Sequence, residues 1–253
     1  MQRRNRLLEE IRSLMNNQSF RFSFLEEGVD VEIQTRFLSQ FNQQQKEPSE
    51  RTTGEWLSLL NKDSLDLLSI GDQEQIILEA SHVDDVSVYR ALEKLVDELE
   101  GDMKSWAVLG MQHSRMLLQS VLLDEYQVFV STGLGGRNNK IRYYAVVAHS
   151  KGEAFSEHQQ EIIQSESLFA LNQSDAELEE GRFDGEFYVS KVLIPMTCNL
   201  DDLFQSIINA SVDLGVPLHY EYLITNVKEL NRREMESYFF GRNNPQPEED
   251  QLG

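Results

Sequence analysis

Near residue 126 of this 253-residue chain the spacing of apolar side chains changes, and that change limits the folds open to it. Between residues 54 and 123, apolar residues recur every three to four positions, the spacing that lines one face of an α-helix. From Gln127 onward, Val-Phe-Val-Ser-Thr and Ile-Arg-Tyr-Tyr-Ala-Val-Val-Ala are β-branched and aromatic runs that suit strands. The pattern predicts an α+β protein. A mostly helical N-terminal region, built as a small bundle or a stack of α-hairpins, precedes a mixed β-sheet with helices on one face.

The expected divisions are 1–53 for an N-terminal helix, a hairpin and a polar linker, 54–125 for an acidic helical region, 126–240 for the sheet domain, and 241–253 for a disordered acidic tail. In the first division, Leu7, Leu8, Ile11 and Leu14 suggest an amphipathic helix over residues 4–16. Phe20, Phe22 and Phe24 alternate with polar residues, and Val29, Val31 and Ile33 alternate again after Gly28. That reads as a β-hairpin with a turn at Gly28. Residues 40–53 are polar, contain Pro48 and show no period, as a connection would.

The helical region is expected to break at residues 61–64 and again at Gly71-Asp72, with Asp72 capping the helix that follows. Tyr89, Leu92, Leu95, Val96 and Leu99 form an apolar stripe, and Gly101 ends it. Beyond Gln127, residues 128–132 and 141–148 are predicted as paired strands joined by residues 133–140. A helix capped by Ser156 follows, with Phe155, Ile162, Ile163 and Phe169 on or near its buried side. An acidic loop or helix tail over 175–181, a strand over 183–196, a helix from Asn199 to Leu214, a strand over 218–225 and a short helix to Phe240 complete the order β-β-α-β-α-β-α.

Charge narrows the partners. Asp and Glu number 43 against 23 Lys and Arg, a formal charge of -20, so direct binding to nucleic acid or an anionic bilayer is disfavoured and a basic protein partner is favoured. Fourteen of the acids, against five bases, fall between Asn61 and Glu125. The segment from Gln127 to Ser150 is the exception: it holds Arg137, Lys140 and Arg142 and no acid. No uncharged apolar stretch is long enough to span a bilayer. One cysteine, Cys198, suits a reducing cytoplasm and excludes an intramolecular disulfide.

The candidate sites follow from these features. Gly133-Leu-Gly-Gly-Arg-Asn-Asn-Lys140 resembles a phosphate-binding loop in composition. It runs into a strand, however, so no helix terminus would face an anion. A hairpin loop is the favoured reading, with Arg137, Asn138, Lys140 and Arg142 as candidate partner contacts, or as a clasp on the chain's own acidic helices. Cys198, between a strand end and a helix start, is the candidate reactive thiol. His82, His113 and His158 lack metal-binding spacing, and no cofactor motif is found. These features favour an intracellular, non-catalytic protein-binding or adaptor protein. The alternative is a small enzyme or nucleotide-responsive regulator using residues 133–142 or Cys198. A homo-oligomer formed through the phenylalanine hairpin is a third possibility.

Overall fold

The computed structural model describes residues 20–43, 51–123 and 126–241. The helix expected over residues 4–16, the middle of the polar connection and residues 242–253 of the acidic tail lie outside them. The chain forms two compact units that meet in sequence at Asn139 and Lys140. Helices dominate the first and an antiparallel sheet the second, which makes the protein α+β in the expected order. Among the described residues no helix is long and apolar enough to cross a membrane.

The first unit begins with β1 (Phe20–Phe24) and continues through α1 (Val31–Gln43), α2 (Thr53–Leu59), α3 (Lys62–Leu65), α4 (Ile70–Ala80), α5 (Val86–Glu98) and α6 (Gly101–Leu123) to β2 (Tyr126–Val130). Helix boundaries follow their caps. Thr52 and Glu55 form a capping box at α2, and Asp85 accepts from the Ser87 amide at α5. At α4 the cap is Ser69, not Asp72: the Ser69 hydroxyl accepts from the Asp72 amide and donates to the Asp72 carboxylate, so Asp72 is the reciprocal partner three residues on.

The predicted hairpin does not form. Val29, Ile33 and Phe37 are buried at intervals of four, which is helical, and Asp30 takes the Glu32 amide at 2.7 Å to start α1. The five-residue alternation from Val29 to Ile33 is too short a window to tell the first turn of a helix from a strand. Strand β2 pairs in parallel with β1, Phe22 opposite Val128, and not with the strand that follows it. A parallel pair needs a long crossover, and helices α1–α6 supply it. Phe37, Trp56, Leu65, Ile77, Leu92 and Trp106 centre the core of this unit.

Beyond β2, the Thr132–Gly136 backbone closes against the loop after β1. The Gly136 amide donates to Leu25 O at 2.8 Å, and Gly135 has φ of +73°. A Cβ on Gly135 would lie 2.7–2.9 Å from the carbonyl oxygens of Leu25, Glu26 and Glu27, so glycine is required for the approach. The short strand β3 (Gly136–Arg137) then turns through Asn138 and Asn139, at φ of 51° and 62°. Asparagine tolerates this left-handed region better than most residues.

The second unit runs β4 (Lys140–Ala148), α7 (Glu157–Gln173), β5 (Glu177–Asp184), β6 (Phe187–Pro195), α8 (Leu200–Asp213), β7 (Leu223–Thr225) and α9 (Arg232–Phe239). Its strand order is β7-β4-β6-β5. All three pairings are antiparallel, because β6 inserts between β4 and β5, the two strands joined by the α7 crossover. The arrangement is the split β-α-β pattern of ferredoxin-like folds. Helices α7 and α8 bury Ile163, Leu171, Leu203, Phe204, Ile207 and Ile208 on one face, against Ala145, Val147, Tyr188 and Val192. Phe239 of α9 approaches Phe187, whose side chain points the other way from Tyr188.

Candidate functional site

Lys140 and Arg142 of the cationic segment are neutralised within the second unit. Lys140 Nζ lies 2.8 Å from Glu177 Oε1 and 3.3 Å from Asp175 Oδ1. The hydrogen bond to Glu177 is the main reason its ammonium is held above the usual lysine range. Arg142 grips Glu179 with two guanidinium nitrogens, one at 2.9 Å, and that hydrogen bond raises it as well. Asn138 forms the turn, and Arg137 is exposed beside it. The glycine loop has spent the amides that would hold a phosphate: Gly135 N donates to Thr132 O at 3.1 Å and Gly136 N to Leu25 O.

Cys198 occupies a different setting, at the mouth of a groove between α7 and α8. The space is about 510 Å³ and lies between residues of both helices. Glu166, Phe169, Ala170 and Gln173 lie at intervals of three and four on one face of α7. Asp202, Leu203, Ser206 and Ala210 do the same on α8, and Ser174, Cys198 and Asn199 close one end. The buried stripe of α7 is Ile163, Ser167 and Leu171, which turns Phe169 outward to 63% exposure. Phe169 was expected near the buried side, and its place on the groove wall corrects that expectation.

Of the groove's polar groups, the Glu166 and Asp202 carboxylates are acceptors alone, and the others carry donors as well. Asn199 caps α8 by accepting from the Asp201 amide at 3.1 Å, and its own amide donates to Asp202 Oδ2 at 2.7 Å. The Cys198 thiol donates to Asn199 O at 3.7 Å. Burial pushes this thiol upward and Asp202 adds to the effect, while a hydrogen bond with Ser174 works against them. At neutral pH it is therefore a thiol, and among the described residues no histidine or lysine lines the groove to take its proton. Among the described residues no group of three or more His, Cys, Asp or Glu is arranged to hold a metal ion.

Other concavities offer less. A core cavity beside Ser167, Tyr188 and Ser190 measures about 10 Å³, the space of one water at most. Depressions on α1 and α9 are each lined from a single helix segment, so nothing converges on a ligand there. Single-helix spacing on α7 and α8 was visible in the sequence. What was missing is that the two faces stand opposite each other.

No protein-family model and no curated protein sequence matches this chain. Among solved structures, a match is the crystal structure of a "putative transposase" from Deinococcus radiodurans, with 13% identity and a TM-score of 0.36, covering 42% of this chain and 95% of that one. The expectation of a non-catalytic adaptor is corrected here. It rested on a basic contact surface, yet Lys140 and Arg142 are held in ion pairs inside the second unit. The likeness is too slight to bring an activity with it.

Proposed function

We propose that the second unit is a small-molecule-binding module and that the groove between α7 and α8 is its site. The observation that supports this is convergence: two helices, fixed on one sheet, direct acceptor oxygens, an exposed aromatic ring and a protonated thiol into one space of about 510 Å³. That volume is within the range of organic ligand sites, roughly 300–1,000 Å³. The lining mixes apolar side chains (Phe169, Ala170, Leu203, Ala210) with polar ones, the first offering affinity and the second orientation. A reducing, cytoplasmic setting suits a groove with an unpaired thiol at its mouth.

The test is a thermal-shift screen of a small-molecule library against the full chain and against Ser206→Trp. Ser206 is exposed on the groove wall, so the indole fills the space without entering the core. Hits that raise the melting temperature of the parent and fail to shift the variant support the proposal. A library that yields no hit, or hits that ignore the tryptophan, would overturn it.

A further inference from the structure

The charge distribution around the groove identifies the kind of molecule it would take. This inference rests on the binding role proposed above and adds the ligand's chemistry. Two carboxylates, Glu166 from α7 and Asp202 from α8, face the space, and among the described residues no lysine, arginine or histidine lines it. Elsewhere in the same unit the scarce cations are committed to acids: Lys140 to Glu177, Lys191 to Glu229, and Arg232 to Asp184 and Glu186. Glu166 is half-buried, yet among the described residues its carboxylate has no ion pair and no hydrogen bond. Asp202 is oriented by Asn199 but has no cation either.

We infer that the groove binds an organic ammonium ion with a compact apolar body. The ammonium supplies the donors and the positive charge that Glu166 and Asp202 lack. Phe169 offers a ring face, which attracts a cation and also packs on hydrocarbon. Ala170, Leu203 and Ala210 take the apolar body. A carboxylate ligand is refused by the same two acids, and a neutral alcohol can donate a single hydrogen bond to them but brings no positive charge.

Three probes that share one ring separate these cases: benzylammonium, benzyl alcohol and phenylacetate, each titrated into the full chain by calorimetry at low and at physiological salt. Benzylammonium is expected to bind, more weakly as salt rises, and Glu166→Gln is expected to lower its affinity about tenfold, the loss of one charge-assisted hydrogen bond of about 1.4 kcal/mol. The glutamine is isosteric and the site is partly solvated, so the fold is retained, which circular dichroism confirms. Phenylacetate is expected not to bind. Benzyl alcohol binding as tightly as benzylammonium, or an unchanged affinity in Glu166→Gln, would refute the ammonium inference and leave the groove standing as a site. Failure of all three probes also refutes it, whereas the groove itself is judged by the library screen and Ser206→Trp.

Discussion

Lowering the pH from 7 toward 4 should loosen the first unit through a single side chain, His113. Its ring lies on α6 among Phe37 at 5.4 Å, Phe41 at 4.3 Å and Phe129 at 5.0 Å between centroids, and Phe41 also stacks on His82 at 4.2 Å. Its buried Nε2 has no hydrogen-bond partner among the described residues. Burial, with a smaller contribution from His82, brings its pKa from the ordinary 6.5 down to about 4. The folded state therefore holds the neutral ring, while the unfolded chain protonates near 6.5. Stability from this source is complete above about pH 6.5, falls as the pH drops through the interval, and is fully lost below about 4. A difference of about 2.5 units corresponds to roughly 3 kcal/mol, of which roughly 2 kcal/mol is already gone at pH 5.

Both tryptophans, Trp56 and Trp106, are buried in this unit, and Phe37 touches the Trp106 ring edge-on at 5.1 Å. Urea unfolding followed by tryptophan fluorescence at a series of pH values thus reports on the right region. Carboxylates titrate over part of the same range, so the informative quantity is the parent minus His113→Leu. That difference, parent stability minus variant stability, should fall by about 2 kcal/mol between pH 7.5 and pH 5. Parallel curves for the two proteins between pH 7 and 4.5 would show that the ring is not held neutral, and the reasoning from its burial would fail.

Two further outcomes follow from the local geometry. Gly135→Ala should destabilise the first unit by about 2–4 kcal/mol, since it combines a left-handed φ with a Cβ less than 3 Å from three carbonyl oxygens; a denaturation midpoint within error of the parent would contradict that packing. Cys198 should react with iodoacetamide more slowly than free glutathione at pH 8, and Asp202→Asn should speed it by removing the adjacent negative charge. A thiol faster than glutathione would refute the protonated state.

Much of the layout was readable from side-chain spacing. The helices from residue 53 to 123, and the first strand and the helices after 140, appear where the periods place them, because amphipathic faces announce themselves locally; the single strand expected over 183–196 is instead a hairpin of β5 and β6, since the acid-rich Glu177–Asp184 lacks the apolar alternation of a strand. Pairing is different. Nothing in Gln127–Val130 states that its partner is Phe20–Phe24, about a hundred residues away, and the alternation would have served equally for an antiparallel neighbour. The groove was hidden for the same reason. Glu166 and Asp202 each look like an ordinary solvated helix acid until α7 and α8 are laid side by side. The glycines of residues 133–136 drew attention as a ligand loop, yet their space is filled by the chain's own carbonyls.

The parallel pairing of β1 with β2 also sets a timetable for synthesis. Strand β1 leaves the ribosome before β2, carrying Phe22 and Phe24, and helices α1–α6 emerge before its partner exists. Until about residue 130 has cleared the exit tunnel, the edge of β1 that β2 will cover stays open. Long-range pairing of this kind closes late and slowly. Nascent chains stalled before residue 126 should therefore be the ones that chaperones hold, and those released beyond residue 136 the ones that let go.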